Sequence, residues 1–292
     1  MERPAAVDGN ITRQPVRVVR AGRQAIVALD ALGPAGRGRI VSVYRRAVNI
    51  LLDSGELVGL LAPGTPLHPW AVIVDREWRS VTVEQVVFIE DTTLAGEGWG
   101  LSWDGVAGED LRLLRRARRL APSVLDRLRG LCPEKPESRF WERIVRILNT
   151  SSTGNFTAMI GIGEGLTPAG DDLLVGLLAG LDLLDGVFPR ARSLRSDLVA
   201  AIPNDLRSIT TRQSAQMIEV ACRGRYAEPV LQLLEAVCDL SGDTPSENHT
   251  AAMGAAVTAL LAVGHDSGLA LLWGITRGLE LSTPAGDHAR QT

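Results

Sequence analysis

Between residues 15 and 106 the apolar positions come in short runs, at 25–29, 39–43, 48–52, 71–74 and 80–83, separated by Gly, Pro and Asp. Runs of that length bounded by turn residues predict strands of an all-β sandwich or barrel, with no helical period of useful length between them. From Glu109 the texture changes. Leu111, Leu114, Leu120, Leu125 and Leu128 sit among Arg112, Arg115, Arg116, Arg118 and Arg119, behind the acidic pair Glu109 and Asp110. Acid at the start suits the helix dipole, so a helix is expected there, its arginines forming a solvated face or an anion or subunit surface. After a loop at 132–136, apolar spacing predicts helices at 137–149, 170–186, 192–201, 211–223, 227–240, 248–263 and 268–281. The expected fold is α+β: an N-terminal all-β domain, barrel or sandwich-like, over 1–108, then a larger all-helical domain over 109–292. The ends, 1–10 and 283–292, are expected to fray.

Composition narrows the class. The 292 residues are 45% hydrophobic and 22% charged, enough for a sizeable core and for two domains. A formal net charge of −3 and 4% aromatics provide neither a field for nucleic acid or anionic membrane nor a stacking surface for bases. Lys135 is the sole lysine, so anion recognition falls to arginine or backbone amides, and a lysine Schiff base is disfavoured. Cys132, Cys222 and Cys238 lack paired spacing and read as reduced structural thiols. His68, His249, His265 and His288 form no zinc pattern, no signal peptide is indicated, and the apolar stretches at 173–188 and 251–264 are too short or too interrupted to span a bilayer. A soluble, cytoplasmic protein is expected.

The chemistry concentrates in a glycine-rich loop, 161–170, that runs into a helix whose first turn carries Asp171 and Asp172. Gly161, Gly163 and Gly165 alternate, Thr167 reads as N-cap and Pro168 as the first helical residue. Leu173, Leu174, Leu177, Leu178, Leu181 and Leu184 then recur at helical spacing. Acidic residues in a first turn can serve the dipole alone. The alternative is a functional loop. Two nucleotide motifs fail: Leu166 stands where a dinucleotide fingerprint needs its third glycine, and Asp171-Asp172 replaces the Lys-Ser/Thr of a Walker loop. A mixed site reconciles the parts, with amides of Gly163, Gly165 and Gly170 holding an anion. The aspartates then hold an amide donor, an arginine or a metal, for which Mg²⁺ is the candidate.

Two further segments qualify. Thr210, Thr211 and Arg212 open an amphipathic helix, either as a simple N-cap or as an anion cradle of hydroxyls, amides and guanidinium. The turn 264–268 places His265, Asp266 and Ser267 between glycines. His265 is a candidate general acid/base or a polar junction residue, with Ser267 as the next N-cap. Gly176, Gly180 and Gly254 lie inside helical patterns, where glycine costs up to ~1 kcal/mol against alanine, so close packing between helices or between copies of the chain is expected. A homo-oligomer is compatible with this.

These segments, in this order behind a β-rich region, resemble the AllH/YlbF-like family across most of residues 25–281. The family's Gly-Leu-Thr-Pro-Ser/Ala-Gly-Asp-Asp stretch corresponds to 165–172, its Thr-Thr-x-x-Ser helix start to 210–214, and its Gly-His-Ser-Ser-Gly turn to 264–268. Glu164 stands where proline is usual, and Asp266 replaces the first serine of the turn. The resemblance implies a small subunit of an oxamate carbamoyltransferase complex of allantoin catabolism, working with an FdrA-like subunit and a second large subunit. The implied reaction converts oxalurate and phosphate to oxamate and carbamoyl phosphate, reversibly. Under this reading Asp171 and Asp172 orient substrate, Thr167, Thr211 and Arg212 bind anion with the loop amides, and His265 moves a proton beside Ser267. A non-catalytic scaffold binding a small anionic effector and a stand-alone metal-dependent hydrolase are the competing readings.

Overall fold

The computed structural model describes residues 16–78, 81–150, 155–242 and 246–283. Ser80 and the two expected frayed ends, apart from Thr283, lie outside them. The chain divides into two compact units between Asp110 and Leu111.

The first unit is a β-barrel. Its elements are β1 (Val16–Gly22), α1 (Arg23–Leu32), β2 (Arg37–Val43), β3 (Ala47–Leu52), β4 (Leu57–Leu61), β5 (Ala71–Val74), β6 (Val86–Glu90), β7 (Thr93–Gly96), β8 (Trp99–Ser102) and the short β9 (Gly108–Glu109). The strands run in the order β5-β4-β3-β2-β6-β7-β8-β1, and β1 pairs back onto β5 to close eight of them, with β9 added beside β1. Closure removes the exposed edges, and eight strands leave an interior that side chains can fill. Alternation sets the register: in β6, Val87 and Ile89 point to the core while Val86, Phe88 and Glu90 face out.

Two expectations fail in this unit. The run 25–29 is helical, within α1, where Ala25, Ala28 and Leu29 are buried at helical spacing and join the barrel core. Five consecutive apolar residues carry no period that separates helix from strand. Residues 81–83 form no strand, and the next begins at Val86.

Among the described residues the second unit holds eight α-helices: α2 (Pro122–Leu131), α3 (Arg139–Thr150), α4 (Ala169–Leu184), α5 (Pro189–Ala201), α6 (Arg212–Cys222), α7 (Glu228–Leu240), α8 (Glu247–Leu261) and α9 (Ser267–Ser282). α4 is buried along its whole length, as its leucine spacing suggests. It crosses α9 glycine to glycine. A Cβ at Gly176 would overlap the Leu271 carbonyl oxygen, at Gly180 that of Ile275, at Gly274 that of Leu173 and at Gly278 that of Leu177. The backbones therefore touch, which only glycine permits. Gly254 differs: a Cβ there meets open space, so close packing does not explain it.

The helix expected from Glu109 does not form. Residues 110–121 form no helix, holding only an isolated bridge from Arg112 to Arg225, and helix begins only at Pro122. The arginines of this segment are exposed, as a solvated face would be, and three of them also have partners within this unit: Arg115 pairs with Asp239 at 2.7 Å, Arg116 with Asp185 at 3.4 Å, and Arg119 donates to the Ser241 and Gly242 carbonyls beyond α7. Cation contacts to carbonyls at a helix C-terminus are favourable, so Arg119 in particular joins this segment to the end of α7.

Candidate functional site

The glycine loop owes its path to three positive φ values, 76° at Gly161, 136° at Gly163 and 84° at Gly165, a region other residues rarely adopt. Gly163 also has no room for a Cβ against the Ala169 amide, and Gly170 none against the Met159 carbonyl. The Gly170 N–H donates to the Ile162 carbonyl at 2.8 Å, so it is not a free anion donor. The amides of Glu164, Gly165, Leu166 and Thr167 take no partner among the described residues. Helix α4 starts at Ala169, so the cap falls one residue after the expected Thr167. Pro168 holds the N-cap position and makes no side-chain cap, which leaves the Thr167 hydroxyl for another contact.

The two aspartates part company. Successive helical residues point about 100° apart, and here the divergence separates two local networks. Asp171, fully buried, accepts the Gly161 N–H on Oδ1 at 2.8 Å and the Thr210 hydroxyl on Oδ2. Thr211 is the N-cap of α6: its Oγ1 accepts the Ser214 N–H at 3.1 Å, and its hydroxyl donates to the Leu166 carbonyl. Asp171 and the threonine pair thus tie the start of α6 to the glycine loop. Burial pushes the Asp171 carboxyl up, and the Thr210 and Gly161 bonds pull it back.

Asp172 turns towards the start of α9. It is 1% exposed, and burial drives its carboxyl up to about 8, against the pull of the Ser267 and Thr167 hydroxyls and with a push from the Asp171 charge. Among the described residues its Oδ2 has no hydrogen-bond partner, a rare condition for a buried polar atom. The Thr167 and Ser267 hydroxyls are 2.9 Å apart. Ser267 is the first residue of α9, whose N-cap position is Asp266, so the expected cap role passes from Ser267 to its neighbour without a side-chain bond.

In front of that hydroxyl pair lies a cavity of about 480 Å³, lined by Glu164, Gly165, Leu166, Thr167 and Ala169 from the loop, residues 264–267 from the turn, and Phe140 from α3. His265 stands on its edge with its side chain 98% exposed and Nδ1 2.8 Å from the Asp266 carboxylate. The structure therefore brings Gly165, Thr167, His265 and Ser267 to one cavity, with Asp172 directly behind. Asp171, Thr210, Thr211 and Arg212 do not line it, nor do Gly163 and Gly170. Arg212 is exposed at the first position of α6.

The profile of the oxamate carbamoyltransferase subunit AllH matches residues 159–279, and that of the AllH family N-terminal domain matches residues 17–107. The chain belongs to the AllH family. No solved structure matches it. The AllH description makes it one subunit of a carbamoyltransferase, which implies other subunits. Among the described residues no helix is long and apolar enough to cross a membrane.

A divalent cation does not fit the AllH aspartate pair. Both Asp171 oxygens are engaged by protein donors, and Asp171 and Asp172 make their contacts in two different networks. Among the described residues no group of three or more His, Cys, Asp or Glu could hold a metal. Phe140 and the Gly161 amide had no signal in the sequence: one sits in an ordinary amphipathic helix, the other in a stretch where only the conformational role of glycine is visible. A second buried network also went unmarked. Arg195 and the Tyr226 hydroxyl both donate to the Asp182 carboxylate inside the helical unit, and Arg195 also donates to the Cys222 carbonyl at 3.0 Å.

Proposed function

We propose that this chain supplies a substrate recess of an oxamate carbamoyltransferase, in which oxalurate and phosphate give oxamate and carbamoyl phosphate. The observation that carries the reading is the cavity over the Thr167–Ser267 pair, with a neutral, incompletely bonded Asp172 behind it. Concave sites with a few convergent polar groups and a displaced pKa are where ligands bind.

The reaction forms a bond from a phosphate oxygen to the carbamoyl carbon and breaks the bond from that carbon to the amide nitrogen of oxalurate. The leaving nitrogen needs a proton, and the attacking phosphate sheds one. Asp172, protonated near neutral pH, gives its proton to the leaving nitrogen through the Ser267 or Thr167 hydroxyl, and the proton from phosphate restores it. A carboxyl that titrates near the working pH is suited to this exchange. The unpaired amides of Gly165 and Leu166 offer donors to the carbamoyl oxygen as charge builds on it. Asp171 and the threonine pair hold the loop in place instead of touching substrate.

The test is phosphate-dependent release of carbamoyl phosphate from oxalurate by the complete complex. With Thr167→Val and Ser267→Ala combined, the account expects turnover to drop about 100-fold or more, with assembly intact. Unchanged turnover in an intact complex rules the recess out.

A further inference from the structure

The lining of the cavity carries charge of one sign. Glu164 and Asp266 contribute carboxylates, His265 is engaged with Asp266, and among the described residues no arginine or lysine lines it. The chain's only lysine, Lys135, is not among the lining residues, and neither is Arg212. Yet the reaction proposed above takes a phosphate dianion and a carboxylate. Anionic groups are recognised by paired guanidinium or ammonium donors, and two lining carboxylates repel them. What this surface does suit is a neutral group rich in N–H donors, with carboxylates and hydroxyl oxygens to accept and free loop amides to donate.

The surface beside the glycine loop adds a second observation. Leu166 and Ile209 are large apolar side chains left 43% and 46% exposed. They belong to the two segments that meet at the loop, where the Thr211 hydroxyl bonds the Leu166 carbonyl and Gly161 backs onto the Ile209 carbonyl. Leu166 lines the acidic recess, while Ile209 lies on the neighbouring segment between the exposed Arg207 and Arg212, so only the recess side, with Glu164 and Asp266, is complementary to basic side chains of a partner.

Building on the carbamoyltransferase reading, we infer that the recess holds only the neutral ureido end of the substrate. Another subunit of the complex, docked over Leu166 and the adjoining Ile209, brings to the recess side the arginine or lysine side chains that meet the phosphate and the carboxylate. The site is incomplete without that partner.

Two measurements test this. The isolated chain, titrated with inorganic phosphate and followed by phosphorus NMR, is expected to show no saturable binding up to about 10 mM. The Leu166→Glu/Ile209→Glu variant, confirmed folded by circular dichroism, is expected to bind the remaining subunits at least about tenfold more weakly. If that variant does not fold, Glu164→Arg, at an exposed position, is expected to weaken binding in the same way, with the loss shrinking at high salt. Wild-type affinity in the folded variants overturns the docking assignment. Saturable phosphate binding by the isolated chain that Ser267→Ala removes overturns the neutral recess. Either result, together with loss of turnover in the Thr167→Val/Ser267→Ala complex, leaves the carbamoyltransferase reading standing and removes only this inference.

Discussion

A carboxyl group cut off from water is stable only if it is neutral, paired or bound. Asp171 and Asp172 meet that condition differently. Asp171 is satisfied by two protein donors, whereas Asp172 takes the neutral form, at about 8 against an ordinary 3.8. The sign of the consequence follows directly. Between pH 4 and 8 the folded chain holds a proton that the unfolded chain has released, so this group's contribution to stability falls as pH rises, by up to ~1.4 kcal/mol per pH unit. Asp172→Asn removes the titration. Urea unfolding across pH 5 to 8 is therefore expected to show a flatter profile for the variant than for wild type, and parallel profiles would refute the assignment. The tandem of acids was visible in the sequence. Their separation into two networks was not, because it depends on which way each side chain leaves the helix and on threonine and serine partners 39 and 95 residues away in number.

Elements were legible where many residues agreed and obscure where few did. The leucine spacing after residue 172 marked α4, and Gly176 and Gly180 marked its close crossing. Gly274 and Gly278 on α9 complete that crossing and are what brings Ser267 up to Thr167. Alanine at Gly176 or Gly274 places a methyl group inside a backbone carbonyl, and overpacking of this kind costs about 1–3 kcal/mol or more. Alanine at Gly254, which meets open space, is expected to be neutral or to stabilise by up to ~1 kcal/mol through helix propensity. Thermal unfolding of the three variants checks the contrast, and equal losses at all three would contradict the crossing. The misread segments have local reasons. α1 offered too few periodic positions, and the 110–121 segment looked helical because its leucines and arginines recur at short spacing, while three of its arginines answer to Asp239, Asp185 and carbonyls beyond α7.

At the scale of the molecule, the turn-rich N-terminal pattern and the apolar periods after it were enough to indicate an α+β chain with a barrel or sandwich first. Barrel closure was not: it rests on β1 pairing with β5 and β8, contacts between distant segments that no local pattern encodes. Three marked turns were legible, but the cavity joins only the glycine loop to the histidine turn and leaves the threonine pair behind. The central claim is that the proton on Asp172 serves the reaction. The most direct measurement is kcat of the assembled complex carrying Asp172→Asn, beside a complex carrying Asp171→Asn, with oxalurate and phosphate as substrates. The account predicts a loss of about 100-fold or more for Asp172→Asn, and a smaller loss for Asp171→Asn that tracks its stability. Wild-type kcat in an intact Asp172→Asn complex would contradict it.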